Sequence, residues 1–147
     1  MITIPYRKTT GWGGGIFLCN DPIRNYVVGG VTMGYIFNVE YGSYRGTWLS
    51  CIHDFKVWMD DEEVPAGNIL FGINGKQFYI DQLPDMYKEF WGRLDKAEIT
   101  VLQDGGIAPG EHKIRVMLES RNPYSAYLTP EFSVLEANDE GIRSVEA

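Results

Sequence analysis

The chain has few of the groups that catalysis and nucleic-acid binding most often use. Its 147 residues include 2 His and 2 Cys, and 13 Lys and Arg against 20 Asp and Glu give a formal net charge of -7. There is no basic run, and the densest charged stretch is acidic, Asp60-Asp61-Glu62-Glu63. Phosphate backbones and anionic lipid surfaces both need clustered cations, so neither nucleic acid nor membrane is an expected partner. No segment approaches the roughly 20 apolar residues of a membrane span. The first twenty residues lack the apolar stretch of a secretory signal, so the cytosol is the expected compartment. There, Cys19 and Cys51 are expected as buried free thiols rather than as a disulfide.

Catalytic motifs are missing too. No G-x-S-x-G is present, nor a glycine loop running into Lys-Ser or Lys-Thr. His53 and His112 fall on the apolar faces of predicted strands, where a satisfied, partly buried histidine is expected rather than a metal ligand. The acidic run lacks the spaced oxygen ligands and glycine of a Ca²⁺ loop, and is expected as a solvated turn that caps a sheet edge. On this reading the chain carries no catalytic residue and no metal ligand set of its own.

What the chain does have is aromatics, at 14 %, and 17 Gly, a combination that favours strands and tight turns over helices. The first fifteen residues, glycine-rich with Pro5, read as an arm. Ile16 to Cys19 and Tyr26 to Val28 read as short strands around Asn20-Asp21-Pro22, and Gly29-Gly30 as a turn. Val31, Met33, Tyr35, Phe37, Val39 and Tyr41 then alternate with Thr32, Gly34, Ile36, Asn38 and Glu40, a period of two that puts one face in a core. The same period recurs in His53, Phe55, Val57 and Met59, in Ala97, Ile99 and Val101, and in His112, Ile114, Val116 and Leu118. Asn74-Gly75 between two apolar runs predicts a hairpin with a type I′ turn. Residues 81 to 95 are ambiguous: Met86, Phe90, Trp91 and Leu94 fit a helical stripe, while Gly92 and the aromatics fit a strand. The segment after Leu135 is acidic, has no apolar period and is expected to fray. The expected organisation is an arm over 1–15, an antiparallel β-sandwich over 16–135, Ig-like or jelly-roll-like with few or no helices, and an acidic tail over 136–147.

Two segments invite a functional reading. Gly11-Trp12-Gly13-Gly14-Gly15 has no strand before it or helix after it, so it is not a phosphate loop. It reads as a mobile arm whose Trp12 anchors on a partner, with a disordered leader as the alternative. Tyr41-Gly42-Ser43-Tyr44-Arg45-Gly46-Thr47-Trp48 follows the strongest strand and holds three aromatics and one Arg. Such residues dominate binding hot spots, and a structural corner held by Arg45 is the equal alternative.

Taken in order, several segments resemble the small β subunit of bacterial C-glycoside deglycosidases. They are G-Y-I-F-N-V-E-Y from Gly34, the Tyr44-Arg45-Gly46 loop with Leu49-Ser50, and D-F-K-V-W-M-D-D-E-E-V-P from Asp54. N-I-L-F-G-I-N-G-K-Q-F-Y from Asn68 and G-G-I-A-P-G-E-H-K-I-R-V-M-L from Gly105 complete the set. The loop departs from the family pattern: Gly42-Ser43 stand where a Pro and a second Tyr are usual, and Thr47-Trp48 replace smaller aliphatic residues. The resemblance implies a TIM-barrel α subunit as partner, holding a divalent metal such as Mn and the acid–base residues. It implies that the complex cleaves the C–C bond between an aromatic aglycone, such as a flavonoid, and a 3-keto sugar. Tyr44, Arg45, Gly46, Trp48 and Trp12 are then the residues expected at the interface or near the substrate. A stand-alone carbohydrate-binding sandwich and an Ig-like interaction domain are the rival readings.

Overall fold

A computed structural model describes residues 6–10, 15–42, 46–122 and 132–146, with 6–10, 122 and 132–135 described by backbone alone. Its strands, in chain order, are β1 (Tyr6–Thr10), β2 (Phe17–Leu18), β3 (Arg24–Val28), β4 (Val31–Glu40), β5 (Thr47–Trp48), β6 (Ile52–Met59) and β7 (Glu62–Glu63). There follow β8 (Ile69–Ile73), β9 (Lys76–Tyr79), β10 (Phe90–Trp91), β11 (Lys96–Leu102), β12 (Glu111–Asn122) and β13 (Phe132–Ser144). Single 3₁₀ turns cover Leu49–Cys51 and Ala66–Asn68, and a longer one covers Ile80–Asp85.

Two sheets form an all-β sandwich. One has the order β1-β13-β12-β6-β7, and the other runs β2-β4-β11-β8-β9 with β3 also paired to β4. Among the described strands the pairings are antiparallel except at one edge, where β1 runs parallel to β13, and an isolated bridge between Ile23 and Val145 is also parallel. The alternation read in the sequence sets which faces meet. Tyr35, Phe37, Val39, Phe71 and Ile99 from one sheet share a core with Phe55, Val57, Ile114, Val116 and Leu118 from the other. A chain of rings crosses this core: Phe55 meets Phe71 edge-on at 5.7 Å between centroids, Phe71 meets Trp91 at 5.2 Å, and Trp91 meets Tyr41 at 5.2 Å. Aromatic pairs in tilted or edge-on geometry add specific attraction to the area they bury.

The predicted hairpin at Asn74-Gly75 joins β8 to β9, with φ of 56° and 75° at the two turn residues. Asp60-Asp61 turns β6 into β7 in the same way, with φ of 52° and 69°. Left-handed backbone is tolerated by Asn and Asp better than by most residues, which is why the acidic run turns here.

At both ends of the chain the structure differs from the sequence reading. Tyr6–Thr10, expected within an arm, form β1. Residues 136–144, expected to fray, form the second part of β13, which pairs with β12 from Glu111↔Ser144 to Asn122↔Ser133. The missing apolar period was a poor guide because this strand is held by polar bonds as much as by burial. Asp139 Oδ2 accepts from the Leu18 N–H at 2.7 Å, and Arg143 donates to the Cys19 and Leu18 carbonyls at 2.7 and 3.2 Å. Ile23 donates to Ser144 O, and Glu146 donates back to Ile23 O, so the end of β13 stitches the two sheets together along one side. The ambiguous stretch 81–95 resolves into the end of the 3₁₀ turn, a bend and the two-residue β10. No helix among the described residues is long and apolar enough to cross a membrane.

Candidate functional site

The aromatic loop leads into β5, which pairs with β10 through Trp48↔Phe90 and Thr47↔Trp91. Trp12, Tyr44 and Arg45 lie outside the described residues. Gly46 is required where it stands, because a Cβ there would come within 2.5 Å of the Trp91 carbonyl oxygen and 2.6 Å of the Phe90 ring. Only a glycine lets the loop return this close to β10.

That close approach sets two side chains side by side on the surface. Trp48 and Phe90 are 41 % and 42 % exposed and meet edge-on, 5.0 Å between centroids at 72°. Beneath them the support is rigid. Trp91, fully buried, donates from Nε1 to the Asp95 carbonyl at 2.8 Å, and Leu49 N–H donates to Glu89 O at 2.9 Å. Asn74 Nδ2 donates to the Phe90 carbonyl at 3.1 Å, and Lys76 pairs with Glu89 at 2.6 Å. Exposed rings on a fixed backbone offer contact area at little entropic cost, which is what an interface anchor needs. Of this pair the sequence reading had Trp48 and missed Phe90. Two consecutive aromatics pointing to opposite faces are the signature of a strand, but two residues are too few for a period to show.

The histidines behave as side chains engaged in the fold. His112 Nδ1 donates to Asp60 Oδ2 at 2.6 Å and Nε2 donates to the Ala108 carbonyl at 2.7 Å. Both partners are acceptors, so the geometry suits the imidazolium, and the bond to Asp60 raises the His112 pKa above its ordinary value. The same bond, with the Lys113 N–H on Oδ1 at 2.9 Å, lowers that of Asp60. His53 is shifted down, first by partial burial and then by the Arg121 charge. Cys51 is buried and unpaired. Cys19 is half-buried, and burial with the Glu40 carboxylate pushes its thiol up to about 11, so it stays protonated at neutral pH. Among the described residues no group of three or more His, Cys, Asp or Glu is gathered as a metal site would require.

The His112 clamp makes a pH prediction. A group whose folded pKa is raised contributes stability that is complete below its unfolded value, near 6.5, and is lost as pH climbs through the folded value. For Asp60 the sense is opposite: its contribution is present above about 3.9 and is lost as pH falls through its depressed folded value. The clamp therefore works best between about pH 4 and 6.5. Denaturant unfolding should show a stability gap between wild type and His112→Gln that is wide at pH 6 and narrows by pH 8.5. An NMR titration placing the His112 pKa at or below 6.5 would show that no imidazolium is held.

Comparison with known proteins gives this fold a context. Residues 15–124 match the family profile described as C-glycoside deglycosidase beta subunit. A C-glycoside deglycosidase beta subunit from Eubacterium cellulosolvens is 28% identical over 86 residues, 58% of this chain and 58% of the relative. One from Arthrobacter globiformis is 26% identical over 92 residues, 62% of this chain and 70% of the relative. The chain thus spans little more than half the length of the first of these. The profile match runs through every strand from β2 to β12, well over half the chain, and on that ground the protein belongs to the C-glycoside deglycosidase beta subunit family.

Proposed function

We propose that the protein is the non-catalytic β subunit of a hetero-oligomeric carbon–carbon lyase that splits an aromatic C-glycoside, working as a cytoplasmic complex. The observation that carries this is the family match over residues 15–124. The partner is a TIM-barrel α subunit that holds the acid–base groups. The contact runs over the end of the sandwich at Trp48 and Phe90, and Tyr44, Arg45 and Gly46 lie just before Trp48 in sequence. Trp12 is assigned to the same contact from the leader.

The reaction follows from the chemistry of a 3-keto sugar. The ketone acidifies the adjacent C–H, and a base on the partner removes that proton to give an enolate. Collapse of the enolate breaks the C–C bond to the aglycone, whose ring carbon takes up a proton as it leaves. A divalent metal bound on the partner would supply charge stabilisation to an enolate oxygen. This chain contributes an apolar wall: paired rings at the mouth of a barrel shed water from the site and give an aromatic aglycone a ring face and a ring edge to pack against.

The test is reconstitution. Each subunit alone should release no aglycone from a 3-keto C-glycoside, and the mixture should release it at a rate that rises and saturates with added β chain. Full turnover by the α subunit alone would remove this chain from the reaction. Release of aglycone from the 3-keto compound by this chain alone would place the chemistry here instead.

A further inference from the structure

At the end of the sandwich where β6 turns into β7, the two sheets part around a cleft of about 810 Å³. One wall comes from β4 and β11 and the other from β6, β7 and β12, so the cleft opens directly onto the core. Tyr35 lines it. Its side chain is fully buried, and its Oη is a buried hydroxyl with no hydrogen-bond partner among the described residues. Most buried hydroxyls are satisfied, and one left alone costs free energy that a bound partner would recover. Burial raises the Tyr35 pKa, and the Asp60 carboxylate on the cleft rim raises it further.

We propose that this cleft is a small-molecule site in its own right, taking an uncharged aryl compound whose ring oxygen substituent accepts a hydrogen bond from Tyr35 Oη–H. The site goes beyond the complex proposed above and does not rest on it. The walls select the ligand. Met33, Met59, Val64 and Ile107 offer thioether and aliphatic surface, which suits an aromatic ring through sulfur and dispersion contacts. Charge selects as well, because Glu62, Glu63, Asp104 and Asp60 stand around the cleft with His112 as its one basic side chain. An anion meets net repulsion, and an ammonium would lose its water against an apolar floor. Oη is buried, so the ligand has to turn a wall side chain aside to reach it. The two methionines are unbranched and flexible, and Met33 is already 43 % exposed.

Acetophenone and benzoate make a matched pair of probes, nearly equal in shape and different in charge. With the full chain labelled at its methionine methyls, acetophenone should shift the Met33 and Met59 signals saturably, and benzoate should bind about tenfold more weakly or worse. Tyr35→Phe keeps the ring and removes the donor. It should weaken acetophenone by about three- to tenfold while unfolding at the same denaturant concentration as wild type or a higher one, because an unsatisfied hydroxyl has been removed. Equal binding of the two probes, no saturable shift with acetophenone, or full affinity in Tyr35→Phe would each overturn the proposal. A Tyr35→Phe protein less stable than wild type would do so too, since it would mean that the hydroxyl is already satisfied in the free protein.

Discussion

Replacing Phe37 with Ala is expected to destabilise the fold by about 3–5 kcal/mol, read as a drop in the denaturant midpoint with little change in slope. The ring is 2 % exposed and sits on β4, which has β2 and β3 on one edge and β11 on the other. Phe37 pairs with Ile99 across that ladder, and Ile99 pairs with Phe71. Backbone bonds thus hold its neighbours in place, so the hole left by the ring cannot easily close. The cavity term then adds to the lost transfer free energy, and the melting temperature should fall by roughly 10–20 °C. Met33 provides the contrast, since it belongs to the same alternating set on the same strand yet is 43 % exposed. Met33→Ala should cost well under about 1 kcal/mol. Similar costs at the two positions would mean that burial along β4 does not follow the period of two.

That contrast also marks how far periodicity can be read. Alternation identified the core face of β4, β6, β11 and β12, and the Asn74-Gly75 dipeptide identified the β8–β9 hairpin. For the strands the signal and the force are the same thing, burial of one face; for the hairpin the signal is the positive φ that both turn residues adopt. It did not say where along a strand burial stops. Val31 and Met33 keep the period but lie beyond the reach of the opposite sheet, near the Gly29-Gly30 turn. It also passed over β13, whose 136–144 portion has Ala137 buried and is otherwise pinned by Asp139 and Arg143 to the strand ends opposite. Hydrogen bonds to partners more than a hundred residues away leave no local pattern. The candidate site divides along the same line. Trp48 was legible because it stands in an aromatic loop beside a strong strand. Phe90 was not, because only the pairing of β5 with β10 brings it there. The acidic run was legible as a turn, whereas the grip of Asp60 on His112 joins residues far apart in sequence and was not.

Truncating Trp48 and Phe90 together to Ala is expected to leave the domain folded and to weaken assembly with the α subunit by roughly 30-fold or more, the scale of one interface hot spot. The two rings are the exposed members of their strands, and their neighbours Thr47 and Trp91 are buried. Removing them therefore takes little from the core, while the Gly46 approach, the Trp91–Asp95 bond and the backbone ladder between β5 and β10 all remain. Circular dichroism and the thermal midpoint should stay near those of wild type. The edge-on contact means that each ring holds the other in place, so single variants should already show most of the loss, and the pair should be less than additive. Ile142→Ala serves as the control: it removes an even more exposed apolar side chain, on β13 and away from the β5–β10 pair, and should assemble normally. The measurements are co-purification, a titration of the α subunit, and turnover of a 3-keto C-glycoside at limiting β chain. If the rings wall the substrate as well as anchor the partner, turnover should stay low even when the double variant is added at concentrations that restore assembly. A double variant that assembles and turns over like wild type would leave Trp48 and Phe90 as a structural corner, and the contact with the partner would have to lie on another face.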